Sequence, residues 1–393
     1  MSRPAVEVAD ILRSVATRLF QTRRPSFQQL KVVRAITRCR TAALGGHLDA
    51  CSGCGKQWGI SFNSCRDRHC PKCQAQTRQR WLAAREQDLL PVPYFHIVFT
   101  LPHKLNTLIR ANPEVLYNLL FRAAADTLIE VAGNPKRLGA EIGFLAILHT
   151  WTQKLLFHPH IHCVIPAGGL APDHSAWIFG SERFFAPRRV LRTVFRGKFV
   201  DGLRRLVAAE GFRFPPQLES LSDPKRFRAW LRSLYVHQWV VYPKATFGNP
   251  QQTLRYLGRY THRVAISNQR LIWFDSDRVQ FRFRDREAGN LQRTMELSAD
   301  EFTRRFLLHV LGKGCVRIRH FGFLANGVRR ASLALCRQLL NQAPSPSADT
   351  AVGAAHGWTC PDCGAPVQVS ERLTATEIVF RKELRLCPAF DTS

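Results

Sequence analysis

His158-Pro159-His160-Ile161-His162-Cys163-Val164-Ile165-Pro166-Ala167-Gly168-Gly169 is the stretch from which the rest of the chain can be read. Histidines at every second position lead into an apolar, β-branched run that stops at a proline and two glycines, the pattern of a strand. On a strand, residues two apart share a face, so His160 and His162 can both reach one divalent ion while Ile161 packs behind them. Fourteen histidines in 393 residues give about 0.5 chance His-x-His pairs, so the pair alone is weak. The third histidine, His158, makes the array informative. Two imidazoles do not complete a site, and the residues offer His149, Gln153 or His262 as further ligands.

Outward from this strand, Gly143 to Trp151 and the proline-bounded run Tyr94 to Leu101 read as two further strands, and Gln238 to Lys244 as another. Helical periodicity predicts helices over 5–20, 25–40, 74–90, 113–132, 188–210 and 223–235. Asn249 and Pro250 open a predicted helix running to about 261. Three short strands are expected at 263–267, 270–274 and 278–284, with Asn268-Gln269 as a turn. Ser298-Ala299-Asp300-Glu301 then reads as a capping box before a helix to about Leu311. No internal repeat is present. Strands and helices are both expected, and the fold class expected is α+β. Boundaries are expected near 92 and 340: an N-terminal helical and zinc-binding unit (1–92), a larger domain (93–340), and a linker with a Cys-containing tail (341–393).

Six of the twelve cysteines fall between Cys39 and Cys73. Cys51-x2-Cys54 and Cys70-x2-Cys73 are two knuckles at the spacing that supplies four thiolates to a structural zinc ion, a geometry that leaves no open coordination position. Cys39, His47, Cys65 and His69 lie around them and could bind a second ion or replace a ligand. Buried thiols and a hydrogen-bonded imidazole are the plainer reading of those four. In the tail, Cys360-x2-Cys363, with His356 upstream and Cys387 downstream, allows another knuckle. Cys163, Cys315 and Cys336 read as buried small hydrophobes.

Tyr256 and Tyr260, two of only six tyrosines, lie one helical turn apart and so share a face of the predicted helix. Arg255, Arg259, His262 and Arg263 make that helix basic, apt for lying on phosphates. A phenol is a poor nucleophile at its free pKa near 10. A divalent ion held by His160 and His162 would polarise a scissile phosphate and stabilise the developing charge. Tyrosine attack would then leave a 5′-phosphotyrosine and a free 3′-hydroxyl.

Composition agrees. There are 57 Lys and Arg against 29 Asp and Glu, a net charge of +28, and 46 of the cations are Arg, the better bidentate partner for phosphate. The excess calls for a polyanion, nucleic acid ahead of a membrane surface. No apolar run approaches the ~20 residues that span a bilayer, and no signal peptide opens the sequence. Hydrophobic residues at 45% and 26 Phe exclude a disordered chain.

Together these motifs resemble the two-tyrosine, His-hydrophobic-His rolling-circle transposases of the insertion sequence ninety-one family. The resemblance rests on the segments Cys39 to His47, Ser64 to Cys73, His96 to Pro102, His158 to Gly169, Tyr256 to Ser267 and Arg317 to Gly322. The chain departs from the family pattern at Gly312 and Cys315. The resemblance implies a zinc-binding N-terminal domain joined to a catalytic domain with a central antiparallel sheet flanked by helices. It implies nicking of single-stranded DNA at the element end with Mg²⁺ or Mn²⁺, with His160 and His162 as metal ligands and Tyr256 and Tyr260 as nucleophiles. DNA ends and target DNA are the expected partners in a bacterial cytoplasm, at the nucleoid when bound. No phosphate-binding loop of the Gly-x4-Gly-Lys-Ser/Thr kind is found, so unwinding is expected from a host helicase with replication proteins. The competing expectations are an inactive zinc-containing regulator of the element, or a plasmid replication initiator or relaxase sharing the same chemistry.

Overall fold

The computed structural model describes residues 4–22, 24–181, 185–245, 258, 265–285, 288–341 and 358–381. Its centre is a five-stranded antiparallel sheet. The strands β1 (Gly46–Cys51) and β2 (Ser61–Phe62) precede it; β3 (Tyr94–Thr100), β4 (Gly143–Trp151) and β5 (Phe157–Pro166) form its middle. A small hairpin follows, β6 (Gly168–Leu170) with β7 (Trp177–Phe179), and β8 (Val240–Ala245) closes one edge beside β3. The next three strands, β9 (Leu271–Phe274), β10 (Arg278–Asp285) and β11 (Leu291–Ser298), form a separate sheet. Strand β12 (Ile318–Gly322) forms the other edge of the central sheet, giving the order β12-β4-β5-β3-β8.

Strand β4 is buried along nearly its whole length, as its unbroken apolar run requires of a strand covered on both faces. One face carries Phe95, Ile97 and Phe99 of β3, Phe144, Ala146 and Leu148 of β4, and Ile161, Cys163 and Ile165 of β5. The helices α5 (Pro113–Gly133), α6 (Arg188–Ala208) and α7 (Pro224–Ser233) cover that face, following α1 (Val8–Thr22), α2 (Phe27–Arg38), α3 (Gln74–Glu86) and α4 (Asn106–Ala111) in the chain. Proline stands at the first position of α5. Asn112 before it does not cap the helix through its side chain: it accepts from the Arg213 amide (2.9 Å) and donates to the Arg213 carbonyl (2.7 Å), stitching α5 to the loop after α6. The opposite face is half covered by an apolar cluster containing Tyr94, Leu145, Ile147, Val164, Trp177, Phe323 and Leu333, with Trp81 of α3 packed against it.

A second core joins the N-terminal helices to the separate sheet. Val8, Ile11, Leu12 and Val15 of α1 pack with Val279 and Phe281 of β10, and with Phe302 and Phe306 of α8 (Ala299–Leu307). Packing therefore crosses the boundary expected near residue 92. Strand β10 alternates buried and exposed residues, so it is apolar on one face only. The expected strand at 263–267 is not found. Residues 263 and 264 lie outside the described residues, and 265–267 lead into a 3-10 turn at Asn268–Arg270. Asn268, expected in a hairpin turn, is buried and accepts from the Val8 amide at 3.1 Å, satisfying a donor at the start of α1. The third strand is β11, whose exposed polar residues hid it. At 298 the cap is half a capping box: Ser298 accepts from the Glu301 amide, while the Glu301 carboxylate turns to Arg304 and Arg305. The helix predicted over 249–261 lies outside the described residues except for Gly258, which is helical.

One imidazole is enclosed by this arrangement. His309 is buried after α8; its Nε2 donates to the Leu155 carbonyl (3.1 Å) and its Nδ1 accepts from the Thr150 hydroxyl (3.2 Å). Burial pushes this imidazole down to about 4, below the unfolded value near 6.5. The unfolded chain therefore takes up the proton first, and the stabilisation is complete above pH 6.5 and lost as pH falls through 4. The shift corresponds to on the order of 3 kcal/mol. Denaturant titrations of the wild type between pH 7 and 4 should lose stability more steeply than those of His309→Gln; parallel curves would refute the assignment.

Candidate active site and metal centres

The register of β4 against β5 decides what the rest of that face presents. His149 lies directly opposite His160, and Ile147 opposite His162. Because β5 places His160 and His162 on one face, three imidazoles converge there, with candidate ligand nitrogens all within 4.8 Å of one another. His149 and His162 are buried and His160 is half-buried. Ring centroids are 4.3 Å apart for His149 and His162, and 4.8 Å for His160 and His162. Gln153 sits in the turn after β4, where its carbonyl accepts from Arg270 at 2.5 Å. His262 lies outside the described residues.

Two hydrogen bonds bear on which nitrogens face the centre. His160 Nδ1 donates to the His158 carbonyl at 2.7 Å, so its Nε2 carries the lone pair. His162 Nδ1 lies 2.7 Å from His96 Nε2 on β3, with ring centres 5.0 Å apart and the ring planes within 3° of parallel. When Nδ1 of His162 is the donor in that pair, its Nε2 carries the lone pair, the usual arrangement behind a metal-bound imidazole. His96 had no assigned role in the sequence. Its alternation along Tyr94 to Thr100 puts it on the histidine face, but only the β3–β5 register, with His96 opposite Val164, shows that it reaches His162. The donor set fits a divalent ion that accepts imidazole.

The cysteines sort differently from their spacing in sequence. Cys70 and Cys73 do not share a site with Cys51 and Cys54; they group with Cys39 and Cys65. Cys39 and Cys73 sulfurs are 3.5 Å apart and Cys65 and Cys73 sulfurs 3.6 Å apart. Four sulfurs around one zinc at ~2.3 Å would be roughly 3.8 Å apart, so the donor set fits. Cys39 follows α2, whose start is set by a Ser26–Gln29 capping box, and Cys73 is the N-cap of α3, where the helix dipole favours a thiolate. Hydrogen bonding with Cys65 and Cys70 brings the Cys39 thiol down to about 7, whereas crowding by Cys39, Cys65 and Cys73 pushes Cys70 up. A dication bound to all four sulfurs removes that competition. Lys72 in the same knuckle meets Glu7, the residue before α1, at 2.6 Å, both largely buried, anchoring the cluster to the second core.

Neither nearby histidine joins. His69 is buried with Nδ1 donating to Asp67 (3.0 Å) and Nε2 accepting from the Leu311 amide (3.1 Å), so both nitrogens are engaged. His47 on β1 faces Asp49 at 3.6 Å. Cys51 and Cys54 lie instead beside Cys360 and Cys363 of the tail. His356 and Cys387 are outside the described residues.

Between the first cysteine cluster and β12 lies a cleft of about 500 Å³ lined by Arg66, Arg68, Gln74, Thr77, Cys315 and Arg317. Arg68 donates to the carbonyls of Cys315 (2.6 Å) and Gly312 (2.9 Å), so the two departures from the family pattern contribute main-chain acceptors here. Burial, then the nearby Arg68 charge, lowers the Arg317 guanidinium to about 10. Its guanidinium lies 5.9 Å from the centre of the Trp151 ring, which in turn stacks on His149 at 4.8 Å. A basic cleft is thus linked to the histidine face through one aromatic ring.

Tyr256, Tyr260, Arg255, Arg259 and Arg263 lie outside the described residues. Gly258, between the tyrosines, sits against α3: a Cβ built on it would be 2.6 Å from Leu82 Cδ2. A side chain there would require the tip of Leu82 to move.

Residues 143–332 match the family described as "Putative transposase", and residues 11–101 match the family described as "Transposase zinc-binding domain". The chain is 45% identical over 392 residues to the "Putative transposase y4qJ" of Sinorhizobium fredii, covering 99% of this chain and 94% of that protein. It is 31% identical over 271 residues to the "Transposase for insertion sequence element IS801" of Pseudomonas savastanoi pv. phaseolicola, covering 68% of this chain and 62% of that protein. No solved structure matches. None of the described helices is long and apolar enough to cross a membrane. With the zinc-binding segment matched and one relative aligned almost end to end, the chain belongs to the transposases of the insertion sequence ninety-one family.

Proposed function

We propose that this transposase nicks single-stranded DNA at its element end by tyrosine attack beside a divalent ion held by His149, His160 and His162, leaving a 5′-phosphotyrosine and a free 3′-hydroxyl for rolling-circle transposition. The observation that carries the reading is the convergence of three imidazoles across the β4–β5 pair, with Nδ1 of His160 committed to a backbone carbonyl. When bound, the ion would polarise the scissile phosphate and stabilise the charge that develops on it. The phenol oxygen of Tyr256 or Tyr260 attacks phosphorus and loses its proton, the bond to the 3′ oxygen breaks, and that oxygen takes up a proton. Since the phosphodiester energy is retained in the phosphotyrosine, a 3′-hydroxyl can reverse the step. Two tyrosines allow a second transfer before the first end is released.

Support for bringing these parts together comes from α3. Leu82 receives Gly258, while its neighbour Trp81 packs on the cluster holding Ile147 and Val164, which adjoin His149 and His162 on the same sheet face. Arg66, Arg68 and Arg317 supply a phosphate-attracting cleft one ring away from His149. His96 is a positioning residue that holds the His162 ring. An all-imidazole set favours Mn²⁺ over Mg²⁺, which prefers oxygen ligands and keeps its waters. Unwinding is left to a host helicase.

Incubation with a single-stranded element-end oligonucleotide and Mn²⁺ should give a denaturation-resistant adduct carrying a 3′ label, with the 5′-labelled fragment released bearing a 3′-hydroxyl. The adduct should vanish in the Tyr256→Phe, Tyr260→Phe double variant while DNA binding persists. Cleavage without any adduct would sink the mechanism. His149→Ala should slow nicking by about 10²-fold or more, as loss of a group stabilising transition-state charge does; an unchanged rate would remove His149 from the site. His96→Ala should raise the Mn²⁺ concentration needed for half-maximal nicking by about 10 to 100-fold, with a smaller effect at saturating metal. Equal loss at every metal concentration would show that His96 acts otherwise.

A further inference from the structure

The tail of the chain returns to its beginning. After α9 (Arg329–Leu339), the last described strand, β13 (Val367–Leu373), pairs antiparallel with β1, from Gly46 opposite Leu373 to Cys51 opposite Val367. This pairing brings the Cys360–Cys363 knuckle against the Cys51–Cys54 knuckle. Sulfur distances are 3.3 Å for Cys51 to Cys363 and 3.7 Å for Cys54 to Cys360, and all four sulfurs lie within 4.8 Å of one another.

The two knuckles have the same local construction although their sequences differ. In each, the residue after the second cysteine is a glycine with positive φ, +72° at Gly55 and +74° at Gly364. Each glycine amide donates to the carbonyl of the first cysteine, at 3.2 Å for Gly55 and 2.9 Å for Gly364. Each first-cysteine amide donates to the carbonyl five residues on, Lys56 and Ala365, both at 2.8 Å. In the first knuckle the amides of Gly53 and Cys54 also donate to the Cys51 sulfur at 3.3 and 3.5 Å, as they would to a thiolate. Gly53 has no room for a side chain: a Cβ there would lie 2.7 Å from Ala365 Cβ and 3.4 Å from Cys363 Sγ. Around the sulfurs, Lys56 pairs with Asp362 at 2.5 Å, and Trp58 packs with Cys51 and Cys360.

We propose that Cys51, Cys54, Cys360 and Cys363 bind a second structural zinc ion, which clips the tail onto the N-terminal domain and closes the chain into a ring around its catalytic segment. The matched zinc-binding segment ends at residue 101, so it contains only half of this site. Two knuckles presented face to face, each with its amides already directed at sulfur or closing its turn, are the four-thiolate arrangement that tetrahedral zinc requires. Disulfide bonding is the competing fate of four clustered thiols, and it would leave no metal.

Metal analysis of the purified full-length chain, prepared with reductant and zinc, decides the first half of the claim. In a His160→Ala, His162→Ala background, which removes the histidine site as a competitor for zinc, two zinc ions per chain are expected, and one when Cys360→Ser and Cys363→Ser are added, substitutions that leave the Cys39 cluster intact. One ion in that background, or two after the cysteine substitutions, would overturn it. The second half is tested by inserting a specific protease site after Ala348 and cutting the folded chain. The tail fragment should stay with the body on gel filtration, separate when a chelator strips the zinc, and separate without chelator after the cysteine substitutions. A fragment that departs in the presence of zinc, or stays after its removal, would show that the metal is not the clip.

Discussion

Three carbonyl groups of the turn between β4 and β5 are held by side chains from outside the central sheet. Arg270 takes that of Gln153, Arg305 takes that of Lys154 and His309 takes that of Leu155. Leu155 itself has φ +60° and a fully buried side chain, so the turn is fixed by packing as well as by hydrogen bonds. This matters because the side-chain period of a strand is two: a slip of one residue would turn His160 and His162 into the apolar core and bring Ile161 to the site. The second sheet and α8 thus set the register on which the histidine face depends. The N-terminal helices, which pack on that same sheet, take part in the same constraint.

The two cysteine clusters do related work at different places. One ties the end of α2 to the start of α3, and α3 carries Trp81 and Leu82 onto the histidine side of the sheet. The other joins segments more than 300 residues apart. Between the first cluster and β12 the basic cleft opens, so the zinc-binding segment forms one wall of the region where polyanion would be attracted. The charge excess of the composition is therefore organised in part by the metal-binding framework, with Arg66 and Arg68 in the knuckle region and Arg317 in the strand lead-in.

Much of the scaffold was legible because it is governed by local rules. Strand β4 occupies the stretch expected for it, Gly143 to Trp151, and the α5, α6 and α7 segments lie where periodicity and Pro113 or Pro224 put them. What could not be read depends on pairing between distant segments. Spacing joined Cys51 and Cys54 to Cys70 and Cys73 because knuckle spacing says how two sulfurs meet one ion, not which two knuckles meet each other. The actual partners are chosen by the β1–β13 ladder and by the α2–α3 geometry. His149 was an open alternative for the same reason, and His96 had no signal beyond strand alternation. Strand β11 was missed because its residues are mostly exposed and polar, so burial left no imprint on them. Asn268 looked like a turn residue and serves as a helix-start acceptor, a choice made by its tertiary neighbour Val8.

The antiparallel pairing of β1 with β13 also has a consequence in time. A ribosome releases Cys51 and Cys54 some 300 residues before Cys360 and Cys363. At about 5 to 20 residues per second, this interval is roughly 15 to 60 seconds. Throughout it, β1 has an open edge where β13 will lie, and two thiols wait for partners not yet synthesised. The catalytic segment, by contrast, has all of its sheet strands available before the tail appears. The order of synthesis therefore makes the closure of the ring the last event in folding, and leaves a nascent or truncated chain with its histidine face formed and its first knuckle unpartnered.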